Sequence, residues 1–289
     1  MDPRYVFEGV VSAQKNFVAQ DHDIILTSCP KSGTTWLKAL VFAIVNRTHE
    51  DFSLTNSPLL KQNPHDLVPL LEDDSLAQFQ SLTGEADPRV RRLVNTHLPY
   101  ESLPPSIKAS GSKILYICRN PMDQFISMWH FSANYPGGSG EPCRLEECFD
   151  RFCHGIHEFG PFWKHGLEFW KASLEKPQKV LFLKYEDLKK DPFQNIKRLA
   201  DFLGLSFSEE ERKKGVIEEI MALCSIGSMK NLEVNKNGWR PKGIPHKAFF
   251  RKGEVGDSKN FLTPAMAEQM EKLMREKFGE HYLAFKLSV

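Results

Sequence analysis
The sequence predicts an α/β fold: a central parallel β-sheet flanked by helices on both faces, with a P-loop-like turn after its first strand. Three observations predict it. Apolar runs of strand length alternate with helical stretches. The runs lead into polar or Pro/Gly turns that open helices. No charge or composition shift divides the chain, so residues 1–289 read as a single domain.

The first strand is expected over 23–28, a short apolar run bounded by polar residues. It leads through a Pro/Gly turn into a mostly apolar stretch, 36–44, that reads as a buried helix. A second strand is expected over 92–96, ending on His97. A third, 113–118, is followed by a helix to about Phe131, with Pro121 suited to its first position. A fourth covers 180–185. After it, Asp191-Pro192 signals the start of a helix that ends near Leu203-Gly204. Strands this apolar imply a parallel sheet covered on both faces. Ligands of such sheets bind at the carboxyl ends of the strands, so the turns after 28 and 118 become candidate site loops. Two stretches read as irregular: 133–142, rich in Gly and Pro, and 235–253, which mixes five Gly or Pro with seven Lys, Arg or His. Loops that long tend to be lids or binding segments.

Composition excludes several classes. A chain of 289 residues with 41% hydrophobic and 26% charged side chains builds a large core without covalent staples. The net charge of +1 supplies no global field for nucleic acid or membrane. The amino-terminal residues lack the pattern of a signal peptide, and the longest apolar run, 39–45, is too short to span a bilayer. A cytoplasmic location is the expectation. Six cysteines at 29, 118, 143, 148, 153 and 224 form no CxxC pair, so reduced thiols and no metal site are expected.

The turn after the first strand carries the chemistry. Where a strand meets a helix within a few residues, backbone N–H groups converge and the helix dipole favours an anion. Gly33 permits close approach of a ligand, Ser32, Thr34 and Thr35 add hydroxyl donors, and Lys31 adds a full charge. The turn is not a Walker A loop, because its Lys precedes its Gly and no upstream Gly is present. An ATP- and magnesium-dependent phosphotransferase is therefore the weaker alternative. His97, after an extended run, has the chemistry of a general base.

The order Pro30-Lys31-Ser32-Gly33-Thr34-Thr35-Trp36 resembles the 5′-phosphosulfate loop of the cytosolic sulfotransferases. The resemblance continues through Thr96-His97-Leu98-Pro99, Arg119-Asn120-Pro121 with Ser127, Lys184-Tyr185-Glu186-Asp187, and Arg251-Lys252-Gly253. The segments Leu232-Glu233-Val234-Asn235-Lys236 and Gly160-Pro161-Phe162-Trp163 look like the plant branch of that family.

The resemblance implies a donor, 3′-phosphoadenosine 5′-phosphosulfate, with no metal, and transfer of its sulfuryl group to a hydroxyl. It implies His97 as base and Lys31 as the cation at the leaving oxygen. Arg119, Ser127, Arg251, Lys252 and Gly253 would hold the 3′-phosphate, with Ser127 also restraining Lys31. Trp36 would pack on adenine, Tyr185 would hydrogen-bond to it, and Ser225 would border the donor. Three positions depart from the family pattern: Asn95 stands for a Lys, Ile226 for a Phe, and Ser258 for a Trp. They suggest weaker donor binding and, as an alternative, a nucleotide-binding relative with little activity. The sequence also begins close to the first matching segment, where plant-type members carry a longer leader.

Tyr100, Trp129, Phe131, Tyr135, Phe159 and Phe162 suggest an apolar acceptor pocket. A flavonoid, a steroid, a hydroxyjasmonate or a desulfo-glucosinolate would suit it. In the family's short dimerisation motif, 259–268, Pro264 replaces Val, which points to a monomer or a weak homodimer. Read without the family, Thr263-Pro264 simply starts a helix.

Overall fold
The computed structural model describes residues 3–47, 54–73, 91–134, 142–240 and 243–285. Four parallel strands form its sheet: β1 (Ile24–Thr27), β2 (Leu93–Thr96), β3 (Lys113–Cys118) and β4 (Val180–Lys184). Their order is β2-β1-β3-β4. In register, Thr27 pairs with Thr96 on one side and with Tyr116 on the other. The chain steps from β1 to β2 on one side and returns to β3 on the other. The carboxyl end of β1 is therefore the switch point, where a crevice must open.

Strand side chains divide between two cores with period two. Ile25, Val94, Ile114, Tyr116 and Phe182 lie in one, with Phe125 and Phe169. Ile24, Leu26, Leu115, Ile117 and Leu183 lie in the other, with Leu37, Leu40 and Ile44 of the Thr34–Asn46 helix. Each fully buried Leu or Ile is worth about 1.5–3 kcal/mol. At the far end of the sheet, Arg92 clasps Asp23 through Nε (2.6 Å) and Nη2 (2.5 Å), fixing the start of β1 against β2.

The expected helix starts are found. Asn120 caps the Pro121–Ser132 helix through Met122 N, and Asp191 caps the Pro192–Phe202 helix through Gln194 N. Thr263 caps the Pro264–Phe278 helix through Met266 N.

Two expectations are corrected. Segment 235–253 is not irregular throughout. The Glu233–Asn237 helix covers its beginning and a 3-10 turn covers His246–Phe249. The physical reason is Asn235, whose buried amide donates to Met229 O and accepts from Asn63. The cysteines are not all reduced, because Cys143 is bonded to Cys148. Cys143 precedes the Leu145–Cys153 helix rather than lying on it, so helical facing does not keep the two apart. Of segment 133–142, residues 135–141 lie outside the described residues.

Candidate active site
The turn after β1 wraps into the first turn of the Thr34–Asn46 helix. Lys31 has φ 68°, an unusual value for a side chain with a Cβ, and Gly33 has φ 109°. A Cβ on Gly33 would lie 2.7 Å from Tyr185 Cδ2, so the glycine is required by both torsion and space. The Ser28 and Thr34 hydroxyls pair at 2.6 Å across the turn. The first N–H groups of the helix have no partner one turn back and are free to meet an anion.

His97 follows β2 and faces the same crevice. Its Nδ1 lies 2.8 Å from the Ser28 carbonyl, which can only accept, so Nδ1 carries the proton. Nε2 therefore keeps its lone pair. Burial first, then Lys38 and Lys31, lower the pKa to about 4 against the Ser28 bond, so the ring is neutral. The backbone at His97 is held from both sides. Its N–H donates to Glu72 Oε1 at 2.6 Å, and its carbonyl accepts from His165 Nε2 at 3.0 Å. His165 in turn accepts from the Tyr116 hydroxyl at 3.1 Å. Burial pushes the Glu72 carboxyl up to about 7.

The Lys31 ammonium sits 3.9 Å over the ring of Phe131. Burial, then Arg119 and Arg251, lower its pKa to about 7. Among the described residues, Ser127 makes no hydrogen bond to Lys31. A cationic corner lies beyond. Arg119 donates to Glu254 O at 2.7 Å and stacks 4.6 Å over Tyr185. Arg251 and Lys252 both donate to Asp257. Asp123 accepts from the N–H groups of Gly256 (2.7 Å) and Ser258 (2.9 Å), holding the loop that carries them. Gly253 has φ 68°, and a Cβ there would run into Ile226. The Nε atoms of Arg119 and Arg251 are buried without a hydrogen-bond partner. A buried cation with an unspent donor fits an oxyanion.

These groups line one cavity of about 860 Å³. Of the expected residues, Lys31, Gly33, Thr34, Thr35, Trp36, His97, Arg119, Ser127, Tyr185, Arg251 and Gly253 line it, and so do Trp129, Phe131 and Phe159. Ser32, Lys252 and Ser225 do not. Ser32 is buried beneath the turn, and Lys252 is turned to Asp257. The Ser225 hydroxyl caps the Ile226–Asn231 helix. The Tyr185 hydroxyl spends its proton on Gly253 O at 2.8 Å, so it can only accept from a ligand. Tyr100 and Phe162 belong to the core, against Phe169 and Phe152. Tyr135 lies outside the described residues. Sequence reading missed Lys38, His65, Glu72 and Asp257. A lysine on an otherwise apolar helix was the one available signal for this group.

A family model described as a sulfotransferase domain matches residues 21–281. Cytosolic sulfotransferase 15 of Arabidopsis thaliana is 47% identical over 97% of this chain and 79% of its own length. Flavonol 4′-sulfotransferase of Flaveria chlorifolia is 46% identical over 96% of this chain and 86% of its own. A mouse sulfotransferase crystallised with PAP superimposes with a TM-score of 0.73, at 27% identity over 98% of this chain and 95% of that one.

Proposed function
This chain belongs to the sulfotransferase family, and on that premise we propose that His97 and Lys31 carry out sulfuryl transfer to a small, largely hydrophobic hydroxylated acceptor. The enzyme is a plant-type sulfotransferase that uses 3′-phosphoadenosine 5′-phosphosulfate. The relatives named cytosolic agree with a cytoplasmic location. Among the described residues, no helix is long and apolar enough to cross a membrane.

The donor supplies the sulfuryl group when bound. His97 Nε2 takes the proton of the acceptor hydroxyl as that oxygen forms its bond to sulfur. Lys31 stabilises the negative charge that gathers on the phosphate oxygen as its bond to sulfur breaks. The products are a sulfate ester and PAP (3′-phosphoadenosine 5′-phosphate). Arg119, Arg251, Ser127 and the Gly253 backbone hold the 3′-phosphate, and Trp36 and Ile226 flank the base. Ser32, Ser225 and Lys252 support this arrangement from outside the cavity. The apolar side of the cavity, with Phe125, Met128, Phe152 and Phe159, accepts a ring system of flavonoid or steroid type. The chain is proposed to work as one domain, as a monomer or a weak homodimer.

The observation that carries this reading is the tautomer of His97. Ser28 holds the proton on Nδ1, leaving a neutral Nε2 as base. The test is turnover of labelled donor against a panel of phenols and hydroxysteroids. Transfer by the wild type that vanishes in His97→Ala, with PAP binding retained, supports the assignment. Wild-type turnover in that variant would refute it.

A further inference from the structure
Behind the phosphosulfate turn lies a buried polar chain with no place in the mechanism above. Lys38 is on the inner face of the Thr34–Asn46 helix and is only 1% exposed. Its Nζ lies 2.9 Å from Val68 O and 3.1 Å from His65 Nδ1. The other nitrogen of that ring, Nε2, lies 2.9 Å from the Thr35 hydroxyl. A buried lysine is rare and costly unless something uses it.

The hydrogen-bond directions follow from elementary rules. The Val68 carbonyl only accepts. Burial, then Arg240, lower the Lys38 pKa, and Glu72, Asp66 and Asp73 oppose them. In its charged form Nζ has no lone pair and can only donate, to Val68 O and His65 Nδ1. A ring that accepts at Nδ1 carries its proton on Nε2. That proton goes to the Thr35 oxygen, which leaves the Thr35 hydroxyl proton for the cavity that Thr35 lines. The ring is held rigidly for this task. The backbone N–H of His65 donates to Asn63 Oδ1 at 2.9 Å. Asn63 is fully buried and donates to Asn235 at 2.8 Å. The ring face lies 4.2 Å from Phe249. Burial, then Lys38 and Arg240, push the His65 pKa well down, in keeping with a neutral ring bearing one proton. Asn95, by contrast, offers the cavity no proton, since its amide donates to Leu26 O and Thr96 O inside the sheet.

We propose that Lys38 and His65 are positioning residues for the donor's 5′ end, forming a relay that aims and polarises the Thr35 hydroxyl toward the 5′-phosphate oxygens. The relay rests on the donor-binding reading above and adds a buried amine that acts on the ligand without touching it. Hydrogen bonds in such a chain polarise one another in a low-dielectric interior.

The test uses two nucleotides: PAP, and adenosine 3′-monophosphate, which keeps the 3′-phosphate and lacks the 5′ one. Calorimetric titrations compare wild type, Lys38→Met, Thr35→Val and the double variant. Lys38→Met is expected to weaken PAP about tenfold, the size of one charge-assisted hydrogen bond, and to leave the monophosphate within about twofold. In the Thr35→Val background the Lys38→Met effect should vanish, because the relay has lost its end. His65→Gln, which keeps one acceptor and one donor, should retain more PAP affinity than His65→Leu. That pair carries the same comparison if Lys38→Met fails to fold. Equal loss for both nucleotides, or additive effects of Lys38→Met and Thr35→Val, would overturn the relay in favour of a structural role. A wild type that binds neither nucleotide would remove the donor-binding reading itself.

Discussion
The two ends of the cavity treat charge in opposite ways. At the reacting end, Lys31 faces aromatic rings and two arginines, and its pKa falls to about 7. His97 is held neutral, at about 4. At the anchoring end, Arg251 and Lys252 are paired with the buried Asp257. Burial would raise that carboxyl, but hydrogen bonds from Lys252, Arg251 and Asn260 outweigh it and hold Asp257 below the usual range. On the proposed mechanism, the groups that would gain, lose or offset charge make no ion pair among the described residues, and the groups that would only hold a ligand are paired in advance. Pairing cancels the reorganisation an anchor would otherwise undergo on binding, whereas a paired Lys31 would respond less to the charge that develops.

The sharpest way to break this comparison is at His97. His97→Ala is expected to lower turnover by about 10²–10⁴-fold, measured with labelled donor, while PAP affinity stays within about twofold. A parallel loss of affinity would show that the reacting end also anchors. Next comes Lys31. In the free protein it is charged below about pH 7 and neutral above, and a bound anion favours the charged form. PAP affinity should therefore fall as pH rises from 7 to 8, by up to about tenfold. Lys31→Met should flatten that profile in calorimetric titrations, and an unchanged slope would assign the titration elsewhere.

At the anchoring end the expected effects are no larger and are independent of pH. Asp257→Asn leaves Arg251 and Lys252 without their carboxylate and should weaken PAP about tenfold, with turnover at saturating donor unchanged. A drop in saturated turnover would mean that the two ends are not separable. The smallest effect is expected at Ile226, which packs against Gly253 and lines the cavity where the base is proposed to lie. Ile226→Phe should tighten PAP several-fold by stacking, read from the same titrations. Weaker binding would show that the aliphatic side chain is fitted to Gly253 rather than to the base.

Much of the fold was legible because its signals are local. The four apolar runs, the capping residues Asn120, Asp191 and Thr263, and the strand-to-helix turn each depend on a few neighbouring residues. The candidate site was legible where a short motif carries it, at Lys31, His97, Arg119 and Arg251. It was not legible where a side chain's partner lies far along the chain. The Tyr185 hydroxyl is committed to a carbonyl 68 residues away, and Ser225 is committed to its own helix. Tyr100 and Phe162 are aromatic like the cavity rings, but they pack into the core. Composition cannot tell those cases apart.

By itself, then, the sequence determined the alternation of strands and helices, the strand-to-helix turn and the family to which the chain belongs, because periodicity and motif order are properties of adjacent residues. Only the tertiary structure decided the proton on His97, the depressed pKa of Lys31, the pairing of Cys143 with Cys148 and the course of the Lys38–His65–Thr35 chain. Each of those depends on burial and on the direction of a hydrogen bond, which exist only once the chain has folded.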